Sequence, residues 1–110
     1  MSRRVDKVLI AAQTALNTAG YVDISEAAQP TEIAFYVEFD DASAAGQIVI
    51  ETAKEISYTG TWAILATVNW AAINKVHYVA VTGAFRTLRA RIASAVTGGT
   101  VTVHMVGNIT

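Results

Sequence analysis

The chain has 110 residues, 53% of them apolar and 15% charged, with a formal net charge of −1. That length suits one domain with a real core, and charge well below the usual share of about a quarter points to apolar surface turned toward a partner. The lack of cysteine excludes disulfides, thiolate nucleophiles and cysteine-bearing zinc sites, while a pI near 6.0 lacks the broad basic footprint of nucleic-acid binders.

At the start, Met1-Ser2-Arg3-Arg4 before an apolar run has the outline of a secretory signal. Asp6 and Lys7 interrupt it, however, and no Ala-x-Ala site follows, so no signal peptide is expected. The longest apolar stretch, Val8 to Ala12, is far short of the roughly 20 residues that span a bilayer, and no membrane partner is expected. Val5, Val8, Leu9, Ala12 and Leu16 fit one helical face as well as a strand; strand is the reading adopted. Asn17 to Gly20 resembles a turn and Tyr21 to Ile24 a short strand.

Pro30 suits a strand entrance, where its missing N–H breaks no ladder. Beyond it Ile33, Phe35, Val37 and Phe39 share one parity and Glu32, Glu38 and Asp40 the other, the period of a half-buried strand. Asp40 to Gly46 has the composition of a loop, and Gln47 to Thr52 resumes with Ile48 and Ile50 on one face and Gln47 and Glu51 on the other. After the polar connection Lys54 to Gly60, Trp62, Ile64, Ala66 and Val68 line up at spacing two. Val76 to Thr82 is apolar on both faces, as in a strand covered on both sides. Leu88, Ala90 and Ile92 then alternate with Arg89 and Arg91, and Val101, Val103 and Met105 with Thr102 and His104. Gly98-Gly99 between them takes the positive φ of a tight turn, which predicts an antiparallel hairpin.

About eight short strands, one proline and no clear helix predict an all-β fold, an antiparallel two-sheet sandwich of the jelly-roll kind, as a single domain over 1–110. The inward residues expected are Ile33, Phe35, Val37, Ile48, Ile50, Trp62, Ile64, Leu88, Ile92, Val101 and Val103.

Chemistry has few footholds. His77 and His104 are the only imidazoles, each inside a strand and without a paired-ligand spacing, and they read as satisfied or solvent-facing. Asp40-Asp41 lacks the oxygen spacing of a calcium loop. No phosphate-cradling glycine motif and no nucleophile elbow is present. Catalytic residues, metal and cofactor are therefore all expected to be none. The charge is polarised: all nine carboxylate side chains precede Ile56, and beyond it only Lys75, Arg86, Arg89 and Arg91 are charged. Arg86, Arg89 and Arg91 could hold carboxylates, phosphates or a partner's backbone. Trp70, where a strand gives way to a loop, reads either as an interface anchor or as a rim residue capping the sandwich.

The succession Val22-Asp23-Ile24-Ser25, Ile48 to Glu51, Gly60-Thr61-Trp62, Tyr78-Val79-Ala80-Val81, Gly83-Ala84-Phe85-Arg86, Leu88 to Ile92, Thr97 to Val103 and Gly107 resembles the small β-sandwich virion proteins of tailed bacteriophages, among them capsid decoration or cement proteins. It departs from them at Lys54 to Tyr58, where such proteins often carry a Ser/Asp/Gly-rich turn. The resemblance implies a non-enzymatic structural role on the outer surface of the capsid, bridging major capsid subunits and contacting other copies of the same chain. It also implies that residues 1–7 could serve as a flexible N-terminal arm, adding Arg3 and Arg4 to the interface candidates, and that an exposed strand edge could pair between subunits. The rival reading is a carbohydrate-binding module of a tail fibre or secreted protein, with Trp70, Tyr58 or Tyr78 as the stacking platform for a glycan.

Overall fold

Residues that alternate between apolar and polar must lie between a core and water, and the chain repeats this solution eight times. The computed structural model describes residues 3–23, 32–83 and 85–109. Its strands are β1 (Arg3–Gln13), β2 (Ala19–Asp23), β3 (Glu32–Phe39), β4 (Ala45–Ala53), β5 (Ala63–Asn69), β6 (Val76–Thr82), β7 (Thr87–Thr97) and β8 (Val101–Ile109). They form two antiparallel sheets, ordered β1-β8-β3-β6 and β2-β7-β4-β5. This is the jelly-roll arrangement expected of eight short strands with one proline and no clear helix. Only β4 and β5 are consecutive neighbours; every other connection passes from one sheet to the other.

The inner faces meet in one apolar layer. Phe35, Val37, Ile48, Ile50, Leu88, Ile92, Val101 and Val103 are fully buried there, with Ile33 nearly so, as the alternation predicts. Leu9 and Ile10 of β1 join them, so strand is the correct one of the two readings open at the start of the chain. From Arg3 onward the expected N-terminal arm is paired with β8, Arg3 opposite Ile109 and Lys7 opposite Met105. Backbone groups with a ladder to join do not stay free. Met1 and Ser2, the side chains of Arg3 and Arg4, and the Pro30 strand entrance lie outside the described residues.

Four sequence expectations change. Gly98-Gly99 does not close a hairpin: β7 pairs with β2 and β4, β8 with β1 and β3, and the glycines carry the chain between sheets. A hairpin and a sheet-to-sheet corner share one local signature, because two strands facing each other across a core also point their apolar parities together. Gly98 has φ +82°, and a Cβ on it would stand 2.5 Å from the Ala42 carbonyl oxygen. The corner is tied to the 40–44 loop by hydrogen bonds from Asp40 N to Thr100 O and from Ala44 N to Thr97 O, each 2.8 Å.

The second change is in β5, where Ile50 pairs with Ala66 but Glu51 with Ile64. Leu65 is the extra residue of a bulge, and a bulge reverses parity. Ile64, expected inside, is 58% exposed. Trp62 is buried, as expected, but lies against Tyr21 and Arg89 and is not part of the interior cluster. The third change is β6, which is an edge strand covered on one face alone: Val76 and Tyr78 are exposed and alternate with half-buried His77 and Val79. The fourth is His77, whose Nε2 is buried without a hydrogen-bond partner and whose ring stands edge-on to Phe39.

Substituting Gly98→Ala tests the corner. The strained φ and the close carbonyl should lower stability by about 1–3 kcal/mol, read as a shift in the urea midpoint with an unchanged slope. A variant as stable as the parent would contradict this placement of the crossing.

Candidate interaction surfaces

The arginine row lies on the outer face of the second sheet. Tyr21 pairs with Arg89, Arg89 with Glu51 and Glu51 with Ile64, so the four cross β2, β7, β4 and β5 in one line. Glu51 therefore sits opposite Arg89, with Arg91 two pairs along on the same face, and it is only 3% exposed. Arg89 Nε and Arg91 Nε donate to Glu51 Oε1 at 2.8 and 3.0 Å. Arg91 also reaches Asn17 Oδ1 at 3.1 Å. The Arg89 guanidinium lies 4.3 Å from the centre of the Trp62 ring, on which Tyr21 packs edge-on, and the Trp62 indole N–H donates to Tyr58 O.

Burial alone would raise the Glu51 carboxyl, but the hydrogen bonds from Arg91 and Arg89 and their positive charge outweigh it and hold the group below its ordinary 4.5. Arg89 and Arg91 are thus occupied within the fold. Glu51 was visible in the sequence as an outward residue of β4; its register with Arg89 was not, because cross-strand pairing is set by the whole topology.

The other candidates are scattered. Arg86 is exposed at the end of the β6–β7 connection. Trp70 is partly buried, packs on the core and donates its indole N–H to Ser43 Oγ at 3.0 Å, which is the geometry of a rim cap. Arg3 and Arg4 fall at the start of β1. Asp40 accepts the Ala42 N–H at 2.7 Å and so braces its own loop.

The outer face of the first sheet carries a second line: Val8, His104, Tyr36 and Tyr78 pair across β1, β8, β3 and β6. The Tyr36 and Tyr78 rings are 5.3 Å apart, edge to face, and both are exposed. Next to them Ala34, Ala80 and Val106 leave an open groove of about 360 Å³, with Glu32 and Thr82 at its far end. Sequence reasoning named Tyr78 but missed Tyr36 and the groove, since only register brings Tyr36, Tyr78 and the two alanines together.

Replacing Glu51 by Gln leaves two confined guanidinium groups without their anion. The cost should lie between the ~1 kcal/mol of an exposed pair and the ~3–5 kcal/mol of breaking a buried one. Because the folded carboxyl titrates below its unfolded value, its stabilisation is complete above pH 4.5 and is lost as pH falls through the lower folded value. Denaturation followed against pH should show this loss in the parent and not in Glu51→Gln; equal pH slopes would refute the assignment.

No family model matches the chain, and no curated protein matches it. Among solved structures, the SPBc2 prophage-derived protein YomS superposes with a TM-score of 0.73 at 12% identity, covering 98% of this chain and 95% of that one. The PBSX exported protein XepA gives 0.60 at 21% identity over 94% of this chain, which spans 37% of XepA. A chain of the Bacillus endospore appendages, which form disulfide-linked pili, gives 0.50 at 18% over 100% and 92%. At these identities the likeness is one of fold.

Proposed function

We infer that this chain is a non-enzymatic structural protein of a phage particle, one that decorates the capsid and stabilises it by bridging major capsid subunits. The observation that carries this reading is the end-to-end match to a prophage-derived protein, 98% of one chain on 95% of the other. The surface supports it. The strongest cluster of charged groups is consumed internally by Glu51, while exposed apolar side chains gather on β5, β6 and the loop between them. Apolar side chains exposed on both outer faces and on the loop between them suit protein contact. With no cysteine in the sequence, copies of this chain are not joined by disulfides, unlike the disulfide-linked pili of its fold neighbour.

Immunogold labelling of particles from the phage or prophage that encodes the chain should decorate heads. Label on tails would move the protein to another part of the virion, and particles free of label would end the reading.

The alternative, glycan binding, rests on the Tyr36–Tyr78 pair beside the groove and Glu32, a stacking surface with a hydrogen-bond acceptor next to it. It moves the platform away from Trp70, whose indole N–H is tied to Ser43. A glycan array decides it: binding lost in Tyr36→Ala with an unchanged melting temperature supports a sugar site, and an array without hits removes it.

A further inference from the structure

A sandwich of two open sheets has four edge strands, and each exposed edge invites another strand unless something blunts it. Three edges here are blunted by different means. β1 carries Arg3, Arg4, Asp6 and Lys7 and breaks register twice. β2 is five residues long, and Lys7 Nζ takes the Tyr21 carbonyl at 2.7 Å. β5 is interrupted by its bulge at Leu65. Only β6 runs unbroken, in register with β3 from Val76 to Thr82, with no charge, proline or bulge.

Among the described residues no strand lies on the far side of β6, and the backbone groups that face that side follow from the register. Phe39 N donates to Lys75 O at 2.7 Å, which makes 39 and 75 a hydrogen-bonded pair and puts 37–77, 35–79 and 33–81 in the same class, since such pairs alternate along an antiparallel ladder. Val76, Tyr78, Ala80 and Thr82 therefore turn their N–H and C=O groups away from β3. Around them, Ile73 is 99% exposed, Tyr78 62% and Val76 57%. From Ile56 to Phe85 the only formally charged residue is Lys75.

We propose that β6 pairs antiparallel with β6 of a second copy about a two-fold axis at Val79, joining the two first sheets into one. In this register Tyr78 lies opposite Ala80 of the other copy and Val76 opposite Thr82. The pairing is complementary to itself. Ala80 and Ala34 form the floor of the groove beside Tyr36 and Tyr78, so the exposed Tyr78 ring of each copy enters the space left by small residues in the other, an aromatic anchor in a pocket.

The charges agree. Lys75 falls opposite Gly83 and not opposite its own copy, and no charged residue lies within the ladder. The nearest like charges are Glu38, beside Val76, and Glu32, beside Thr82 of the other copy. They are three strand spacings apart, roughly 14 Å, beyond the ~8 Å screening length at physiological salt. Symmetric pairing of one patch with itself is also the commonest way for a soluble chain to associate. The inference goes beyond capsid decoration and stands or falls separately from it.

The chain has no native cysteine, which makes crosslinking a direct test of register. In the proposed dimer the two Val79 positions form a non-hydrogen-bonded pair with Cα atoms ~4.5 Å apart, within disulfide reach. The two Val81 positions are offset by four residues, roughly 13 Å or more. Full-length Val79→Cys should give a disulfide dimer on mild oxidation and Val81→Cys should stay monomeric on a non-reducing gel. Sedimentation equilibrium of the unmodified chain should show a dimer. Ala80→Arg, which fills the groove floor, should weaken it about tenfold or more while the circular dichroism spectrum remains that of the parent. A parent chain that sediments as a monomer would overturn the proposal, as would equal crosslinking at both positions or a dimer indifferent to Ala80→Arg. A glycan bound by the monomer through Tyr78 would overturn it too.

Discussion

Everything in this molecule depends on the apolar layer between the two sheets. With β4 and β5 the only consecutive strands in one sheet, neither sheet is assembled from a continuous stretch of chain, and neither could persist alone with one apolar face in water. The interleaving gives each face its partner. Phe35, Val37, Val101 and Val103 from one side meet Ile48, Ile50, Leu88 and Ile92 from the other, and this contact makes the edges, outer faces and corners definite places. The Glu51 cluster belongs to the same logic: a carboxylate facing outward is held by two arginines, one of them stacked on a tryptophan, that the inner layer keeps in register.

Much of this was legible in the sequence, and the pattern of what was not is physical. Period two announced β3, β4, β7 and β8 and assigned their inner faces, because burial on one side leaves a local imprint on composition. The destination of a strand leaves none. Thr97 to Thr100 looks the same whether the chain doubles back in one sheet or crosses to the other, so the strongest hairpin signal marked a crossing. The bulge at Leu65 reversed the parity of Ile64 without any sequence mark such as a glycine. In β6, apolar residues on both faces suggested a central strand, yet the strand is an edge. An uncharged edge and a covered centre share a composition and differ only in what lies alongside.

For the surface candidates the fold shows what the residues named from the sequence touch within the chain. Arg89 and Arg91 stood out as a row available to a ligand; in the fold they have a ligand already, supplied by β4. Trp70 offered two readings, and within the chain its indole N–H is held by Ser43. Charge asymmetry along the chain acquires a spatial meaning. The acidic and basic residues of the first strands guard one side of the sandwich, while the stretch from Ile56 to Phe85, with Lys75 its only formal charge, supplies the other side.

The pairing of β1 with β8 has a consequence for how the chain is born. Of the eight strands, β1 is made before the others and has as its neighbour β8, made after them, and β3 likewise needs β8 beside it. Native closure of the first sheet must therefore wait until β8 has been made, and folding governed by such distant pairings is slow. During that interval β5 and β6 have been made and carry almost no charge to keep nascent neighbours apart. On a crowded polysome, β6, the strand that most readily accepts a companion, is made before β8 closes its sheet, which makes rapid dilution or chaperone cover a condition of good yield.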